Sequence, residues 1–521
     1  MNVAFDMWIP VVKTCGERRL VSLCDVLARG EEFADLAVRP HERVALMRLL
    51  TCVAHAALDG PKDYEDWCRL PSRLPSAATQ YLEKWRDSFE VFHPVTPWLQ
   101  VAGLSKSEGA PTANDDSSDW TSTSKLNFSL ATGNTTTLFD HAGMRQTRCV
   151  AAPDLVLSML TYQCFSPGGL IAQVYWAGKQ TTKTSKDAPC APASMVHGLL
   201  RGQTLAESVH LNLPSFEDVR LSYGDTPIGR PVWEQVPVSP SDSRNIQNAT
   251  ATYVGRLTPM SRFIRLDPRG DKMLLGSGLV YPTFTDGFPP EPTATVVVRQ
   301  STGGEDRMLL SFRPSKALWR ELAAIVVKRT SEGSGGPLSL RAIPDGQGCD
   351  LIVSSMARDQ ATVVDTVESV FRIPPRLTTL EGTTAYEAEV KTAEERAGQL
   401  NRAVEAYRSA LDGGWEGRLK SAGPSKAELR AKLHAVAATH FWTAVEKNLP
   451  LLMTHIESLG TDNAGATRSA WHKMLFISAL DAFRTACGQE TPRQVRAFAE
   501  GWKRLVKQKV ASPTTGDEEE T

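Results

Sequence analysis

The sequence predicts an α+β protein in which a large irregular mixed α/β N-terminal body is followed by a C-terminal four-helix bundle. Strand-like and helical patterns alternate up to residue 374, two prolines at 374 and 375 interrupt them, and only helical periodicity follows. At 521 residues the chain is also too long for one ordinary core. We therefore expect two domains, residues 1–374 and 375–521.

The body begins with short β-branched runs and with a pattern at 42–57 that is typical of a buried helix. From Gly103 to Gly133, small and polar residues predominate, and a segment with so few apolar residues is not expected to order itself. We predict a mobile loop at about 103–133. Either of its large side chains, Trp120 and Phe128, could become ordered by stacking on a partner.

The rest of the body predicts further strands and helices. The runs Ala294–Arg299 and Leu351–Ser354 are strand-like, and residues 315–328 predict a helix with apolar residues on one face and Ser315 as its N-cap.

Four amphipathic helices follow the two prolines. A proline at 450 is expected to kink or split the second helix, and Thr491 with Gln494 predicts a capping box at the start of the last. The first helix has residues spaced alternately by four and three positions on one face, namely Tyr386, Val390, Ala393, Ala397, Leu400, Val404, Tyr407 and Leu411. Short connections between such helices favour an antiparallel bundle.

The composition is that of an ordinary soluble protein, with 41% apolar and 22% charged residues and a formal net charge of −1. No apolar stretch approaches the roughly 20 residues that cross a bilayer, so we expect no membrane contact and a cytoplasmic location. The nine cysteines include no CxxC pair, and we expect neither a metal nor another cofactor. A net charge near zero means that nucleic acid, as a partner, would be held by local basic patches.

Common catalytic motifs are absent from the sequence, which contains no GxSxG, HExxH, GxxxxGK or GxGxxG. The histidines are sparse, and His55, His440 and His472 lie in helical patterns, where a structural role is commoner than a catalytic one. We predict that the protein is not an enzyme. An unrecognised hydrolytic site is the less favoured alternative.

Six short segments occur in a characteristic order. They are Trp8-Ile9-Pro10-Val11, Pro97-Trp98-Leu99-Gln100, Pro167-Gly168-Gly169, His197-Gly198-Leu199-Leu200-Arg201-Gly202, Gly255-Arg256-Leu257-Thr258-Pro259-Met260-Ser261-Arg262 and Asp359-Gln360-Ala361. In this order, and followed by a helical C-terminal region, they resemble the large subunit (CasA family) of the type I-E CRISPR Cascade surveillance complex. The resemblance covers essentially the whole chain.

The resemblance implies a non-catalytic subunit that recognises the protospacer-adjacent motif (PAM) in a double-stranded DNA target. Such a subunit promotes duplex opening for pairing with the CRISPR guide RNA and helps to recruit the CRISPR helicase-nuclease. The implied partners are the DNA, the guide RNA, the helicase-nuclease and the other Cascade subunits. The alternative is a scaffold subunit of a ribonucleoprotein that makes no direct DNA contact.

Gly168 and Gly169 are the first candidate DNA-binding residues. Glycines let a backbone approach a ligand closely, although Pro-Gly-Gly also occurs in ordinary tight turns. In the resembled family a glycine-rich loop at this point lies in the minor groove beside the PAM, which favours the DNA-binding interpretation.

Asp359, Gln360 and Ala361 follow a strand-like run and predict a hairpin tip. The family carries Asn-Gln-Ala there, and its glutamine separates the first target base pairs, so the resemblance implies that Gln360 is the wedge. Asp359 replaces the family's asparagine. Because an ionised carboxylate accepts hydrogen bonds but cannot donate them, we expect a different PAM preference.

The segment Asn127, Phe128, Ser129 and Leu130 resembles the family's Phe-Val-Asn loop segment, which reaches the guide RNA handle and the PAM region. Phe128 matches the family's phenylalanine, whereas Leu130 replaces its asparagine. The family also uses a lysine to contact DNA on the PAM side, and the resemblance assigns that contact to Lys272.

Overall fold

The computed structural model describes residues 1–108, 120–130, 150–186, 194–282, 290–301, 304–331, 333–359, 362–411 and 424–506. Contacts between residues divide the chain into two compact units, Met1–Ile373 and Pro374–Thr521. The first unit mixes helices with short strands and the second is helical, which confirms the predicted fold class. No helix in the ranges above is long and apolar enough to cross a membrane.

The first unit contains short helices and two long ones. Its described α-helices are α1 (Leu23–Ala28), α2 (Pro40–Leu58), α3 (Tyr64–Lys84), α4 (Ala152–Phe165), α5 (Leu205–Leu211), α6 (Phe216–Tyr223), α7 (Ser243–Ala251), α8 (Tyr253–Leu257) and α9 (Leu322–Ile325).

The strands are short except for one long pair near the end of the unit. They are β1 (Ile9–Lys13), β2 (Arg18–Val21), β3 (Phe33–Leu36), β4 (Thr121–Ser122), β5 (Gly169–Leu170), β6 (Tyr175–Trp176), β7 (Lys179–Gln180), β8 (Thr184–Ser185), β9 (Val196–Arg201), β10 (Phe263–Leu266), β11 (Lys272–Gly276), β12 (Val296–Ser301), β13 (Gly304–Leu309), β14 (Cys349–Asp359) and β15 (Thr362–Ile373).

These strands form several small antiparallel sheets. The three-stranded sheets have the orders β2-β1-β3, β10-β11-β4 and β15-β14-β9, and two-stranded sheets pair β5 with β8, β6 with β7 and β12 with β13. The sheet of β9, β14 and β15 packs closely against the segment at Pro337. A Cβ atom at Gly198 of β9 would come within 2.8 Å of the Pro337 ring.

Helix α2 is the central element of the first unit and is buried on nearly every face. Its burial confirms the predicted helix at 42–57. Pro40 occupies the first turn, and the Arg39 backbone N–H donates to Oε2 of Glu42 at 2.9 Å, which caps the start. Arg43 of α2 also donates from Nε to Oε2 of Glu368 at 2.9 Å and so ties β15 to the helix.

The predicted helix at 315–328 is largely wrong. A 3-10 turn covers Leu318–Glu321, α9 covers only Leu322–Ile325, and Ala317 stands at the N-cap position predicted for Ser315. The apolar positions were nevertheless assigned correctly, because Leu318, Leu322 and Ile325 are all buried.

A charged cluster lies in the interior of the first unit. The guanidinium groups of Arg48 and Arg256 both contact the Glu291 carboxylate, and all three side chains are 0% exposed. Burial raises the pKa of the Glu291 carboxyl, but the two arginines outweigh it and hold that pKa below its usual value. Arg48 also donates to the carbonyl oxygens of Arg256 and Leu257, so the cluster fixes α2 against α8.

Three histidines are buried in the same unit. Burial lowers the pKa of His41 and of His197 to about 4 and that of His55 to about 3. Nδ1 of His197 lies 2.8 Å from the Thr293 hydroxyl, and its ring meets Phe165 edge to face. All three histidines are therefore neutral at pH 7.

The second unit consists mostly of long helices that pack along one another. They are α10 (Leu380–Leu411), α11 (Pro424–Lys447), α12 (Leu449–Glu457), α13 (Ala464–Ala486) and α14 (Pro492–Val506). The predicted second helix is split before Pro450 into α11 and α12. Of the eight residues predicted on the inner face of α10, the buried ones are Tyr386, Val390, Ala393, Leu400, Val404 and Tyr407.

Local contacts explain how these helices begin and how closely they pack. The predicted capping box is present: the Gln494 N–H donates to the Thr491 hydroxyl at 3.2 Å, and the Thr491 N–H donates to Oε1 of Gln494 at 2.9 Å. A Cβ atom at Gly501 would lie 2.7 Å from the Ala403 carbonyl oxygen, so α14 crosses α10 at close range there. The buried Glu389 carboxylate accepts from Arg468 and contacts His472, which joins α10 to α13.

Arg48→Met should destabilise the first unit by about 3 kcal/mol, because it leaves Glu291 buried with one guanidinium fewer and two carbonyl oxygens without their donor. The measurement is the free energy of unfolding in urea. Arg69→Met is the matched control, since Arg69 pairs with Glu65 on the exposed surface and should change stability by less than about 1 kcal/mol. Equal effects of the two substitutions would contradict a stabilising role for the cluster.

Lowering the pH should destabilise the first unit through His197. The folded state keeps this ring neutral down to a pKa of about 4, whereas the unfolded chain takes up a proton near the usual value of 6.5. Since the unfolded state binds more protons between those values, stability is present above pH 6.5 and declines below it, by about 2 kcal/mol at pH 5.

Urea unfolding of His197→Gln at pH 7.5 and pH 5 should therefore show a smaller pH dependence than the unchanged protein. His440→Gln, at an exposed position in the second unit, is the control and should leave the dependence unchanged. A His197 variant with the full pH dependence would show that another group causes it.

Candidate nucleic-acid interface

Helix α4 supports the predicted DNA-binding glycines. Its residues from Leu155 to Phe165 are all buried, and the turn Ser166–Gly169 leaves its C-terminal end. Gly168 is half-buried, and Gly169 is exposed with a φ of +120°. A Cβ atom at Gly169 would meet no atom within 4 Å, so the backbone conformation, and not crowding, favours glycine there. Gly169 is thus exposed at the surface, while its carbonyl oxygen accepts from the Ser185 hydroxyl at 3.3 Å.

Arg262 anchors this turn from inside. Its side chain is 1% exposed, and its Nη2 donates to the carbonyl oxygens of Pro167 and Lys186, each at 2.6 Å. The backbone of Arg262 is held in turn by Gln163 of α4, whose amide accepts from the Arg262 N–H at 2.8 Å and donates to its carbonyl oxygen at 2.9 Å. The two chain segments at the base of the turn are therefore fixed by one buried guanidinium.

The hairpin of β14 and β15 carries the second group of predicted residues. Asp359 is the last residue of β14 and pairs with Thr362, the first of β15. Gln360 and Ala361 stand between these paired residues in the sequence and lie outside the described part of the chain. The register shifts between Ala357 and Arg358, which pair with Asp365 and Val363, so a β-bulge in β15 at Val364 lies close to this end of the hairpin.

Arg358 joins the hairpin to the glycine turn. Its Nη2 donates to the Phe165 carbonyl oxygen at the end of α4, and its backbone N–H donates to the Ser194 hydroxyl at 3.0 Å. Phe165 is three residues before Gly168, and Arg358 is one residue before Asp359. The structure therefore brings the end of α4, which leads into the glycine turn, close to the last residues of β14.

The segment Trp120–Leu130, which lies within the predicted mobile loop at 103–133, makes contacts with other parts of the first unit. The Trp120 side chain is 8% exposed and lies under the Arg265 guanidinium, 5.2 Å from the ring centre. β4 pairs with β11, and the Thr123 hydroxyl donates to the Gly270 carbonyl oxygen at 2.9 Å. The neighbouring Ser105 exchanges backbone hydrogen bonds with Tyr175 at 2.8 and 2.9 Å.

Phe128 has an aromatic partner within the protein. Its ring is half-buried and stacks on Tyr162 of α4 at 5.6 Å between centres, with His41 edge-on at 6.1 Å. Stacking of Phe128 on a nucleotide base would therefore compete with Tyr162. Asn127 forms a local turn in which its Oδ1 accepts from the Ser129 N–H at 2.9 Å, Ser129 is exposed and Leu130 is half-buried.

Lys272 is positioned by the same segment. It opens β11 opposite Ser122 of β4, and its backbone N–H donates to the Asp267 carboxylate at 3.0 Å. The side chain is half-buried. Lys272 is therefore held beside β4, which precedes the predicted guide RNA segment in the chain, through a contact different from the one that joins α4 to the hairpin.

Arg262 and Arg358 organise this region, and sequence reasoning assigned no role to either. Each is one of many arginines, and each makes its contact with residues distant in sequence, 95 positions away for Pro167 and 193 for Phe165. The only sequence signal was that Arg262 ends the segment Gly255–Arg262 used for the resemblance.

The described region supplies no metal-binding cluster of three or more His, Cys, Asp or Glu side chains. All cysteines in it are free thiols.

Comparison with known proteins gives consistent matches over almost the whole chain. The family model described as CRISPR-associated protein Cse1 matches residues 2–482. The CRISPR-associated protein CasA/Cse1 of Thermus thermophilus is 28% identical over 506 residues, which cover 93% of this chain and 91% of that protein.

Solved structures agree in fold. The crystal structure of CasA from Thermus thermophilus superposes with a TM-score of 0.74 at 24% identity and covers 97% of this chain and 98% of that one. Cse1 from Acidimicrobium ferrooxidans gives a TM-score of 0.74 at 20% identity, with 97% and 96% covered. A chain from a structure named CRISPR RNA-guided surveillance complex gives 0.69 at 17% identity, with 97% and 99% covered. The family match and the shared fold together establish that this chain belongs to the CRISPR-associated Cse1 (CasA) family.

Proposed function

We propose that this chain is the non-catalytic large subunit of a type I-E CRISPR surveillance complex. It recognises the PAM in double-stranded DNA, promotes opening of the duplex for guide RNA pairing and helps to recruit the helicase-nuclease. The observation that carries the proposal is the Arg358 contact with Phe165, because it holds an exposed glycine turn beside the end of a long hairpin. Family membership and the likeness to a chain of an RNA-guided surveillance complex support it.

The glycine turn suits a groove of duplex DNA. Gly169 is exposed, Gly168 is half-buried and neither carries a side chain, so the backbone can come close to the floor of the narrow minor groove. Because A·T and T·A pairs look alike from that side, a backbone reader tolerates several related PAM sequences.

The hairpin supplies the opening step in this proposal. Gln360 enters the base stack next to the PAM, and contacts to the separated strands offset an unstacking cost of a few kcal/mol. Pairing with the guide then extends from this first opened segment, as in RNA-guided recognition generally.

The segment Asn127–Leu130 is the proposed contact with the guide RNA and the PAM region. The exposed Ser129 and the amide of Asn127 are the polar groups available there, and Phe128 acts mainly by fixing the segment on Tyr162. Lys272 adds positive charge beside β4, which precedes this segment in the chain. A lysine acts on phosphate as a point charge, so its contribution should weaken with rising salt.

The test is binding of double-stranded target by the guide-loaded complex, assembled with and without this chain, on a library of PAM sequences at one salt concentration. We expect PAM-dependent binding that requires the chain. Gly169→Asp should weaken it by about tenfold or more, because a carboxylate on the turn faces phosphate and the positive φ disfavours a side chain. Gln360→Ala should reduce opening of the first base pairs, measured by the fluorescence of 2-aminopurine beside the PAM.

Gly178→Asp is the matched control for the turn. Gly178 is also exposed, also has a positive φ of +72° and also has no atom within 4 Å of a Cβ position. It should leave DNA binding within about twofold of the unchanged chain, a difference too small to count as a lost contact. If the complex binds with the same PAM preference without this chain, the protein is a scaffold subunit.

Asp359→Asn should change the order of preferred PAM sequences. The carboxylate of Asp359 only accepts hydrogen bonds, whereas an asparagine amide also donates and is not repelled by phosphate. The readout is the ranking of PAM sequences in the same library. An unchanged ranking would show that residue 359 does not read the PAM.

A further inference from the structure

Two arginines enclose the C-terminal end of α4. Arg358 donates to the Phe165 carbonyl oxygen, and Arg262 donates to the Pro167 carbonyl oxygen two residues later at 2.6 Å. The last carbonyl groups of a helix lack partners within the helix and carry partial negative charge. A guanidinium group supplies the missing hydrogen-bond donor and a positive charge, and its charged hydrogen bonds are directional. The path of the chain from α4 into the glycine turn is therefore set by these two side chains.

The two arginines hold different parts of the molecule to that end. Arg262 joins the turn to the chain at Lys186, directly after β8, the strand that pairs with β5. Arg358 joins the turn to the hairpin, which is otherwise tied to β9 and, through Glu368, to Arg43 of α2. Arg358 is therefore a direct link between the residue that precedes the turn and the strand that ends at Asp359.

A β-bulge lies opposite Arg358. Ala357 pairs with Asp365 and Arg358 with Val363, so the extra residue, Val364, is in β15, and a bulge of this kind re-aims the side chains beside it. The Arg358 backbone N–H donates to the Ser194 hydroxyl at 3.0 Å, so β14 is held at the point where the pairing becomes irregular.

We propose that Arg358 is a positioning residue for DNA recognition, which couples the glycine turn to the hairpin tip so that PAM contact and duplex opening occur in one rigid frame. The proposal rests on the proposed function for its DNA-binding part. It assigns to Arg358 no contact with DNA. Substitution should therefore affect the separation of base pairs at the tip more than the attraction of duplex DNA to the complex.

The experiment compares Arg358→Gln and Arg358→Lys with the unchanged chain, and uses Arg372→Gln as the control. Arg372 is an exposed residue in β15 of the same hairpin. Hydrogen-deuterium exchange on the chain alone measures protection of peptides spanning 162–170 and 353–367. Opening beside the PAM is then measured with 2-aminopurine in the guide-loaded complex, and thermal unfolding checks that each variant is folded.

We expect Arg358→Gln to increase exchange in both peptides together and to reduce opening by roughly tenfold, the effect of one charged hydrogen bond. Arg358→Lys keeps the charge and should restore part of both signals. Arg372→Gln should change neither. A variant that loses opening without any change of exchange at 162–170 would overturn the coupling, as would equal loss in Arg372→Gln.

The failure of the two proposals can be told apart. If the unchanged complex binds PAM-dependently and Arg358→Gln alters exchange in both peptides but not opening, the positioning role is wrong and the proposed function stands. If the unchanged complex shows no dependence on the PAM or on this chain, the proposed function is wrong, and the role of Arg358 in recognition falls with it.

Discussion

Much of the interior of the first unit is irregular backbone, and its carbonyl groups must find donors without regular secondary structure. Buried arginines supply many of them. Arg48 donates to the carbonyl oxygens of Arg256 and Leu257. Arg262 donates to those of Pro167 and Lys186. Arg329 donates to those of Glu291, Ala294 and Gly336. A guanidinium suits this purpose because its five donors lie in a fixed plane and it remains charged.

This arrangement makes the candidate interface a product of long-range packing. Three side chains contact α4 and the turn that follows it. Phe128 stacks on Tyr162, Arg262 donates to the Pro167 carbonyl oxygen, and Arg358 donates to the Phe165 carbonyl oxygen. Each partner comes from a different part of the chain. The surface that faces solvent at Gly169 thus depends on groups that lie beneath it, and the burial of Gln163 and Arg262 limits how far the turn can move.

Sequence patterns predicted the elements whose stability is local. Periodicity identified α10 and the buried α2, and the effect of Pro450 and the capping box of α14 followed from backbone and hydrogen-bonding chemistry close in sequence. The contacts of the segment Trp120–Leu130 could not be predicted, because composition counts apolar residues and does not show where they pack. Trp120 contacts Arg265 far along the chain, and Leu126 is fully buried in the core of the first unit.

The candidate site was predictable only in part, for the same reason. Gly168, Gly169 and the hairpin ending at Asp359 were identified through short motifs, whereas a pattern gives no sign that an arginine is buried or which carbonyl group it serves. The placement of Phe128 shows the limit most clearly. An aromatic residue in a polar segment predicts a stacking partner of some kind. Only the fold shows that the partner of Phe128 is Tyr162 of the same protein.

The conformation of Gly169 has a practical consequence for chemistry. A φ of +120° disfavours L-residues and lies on the side of backbone space that D-residues prefer, and Gly169 is exposed, so a D-residue suits this position better than an L-residue. A D-cysteine introduced by semisynthesis would accept a small dye while leaving the Arg262 contacts in place. The dye would report, on an unperturbed fold, whatever molecule approaches the turn.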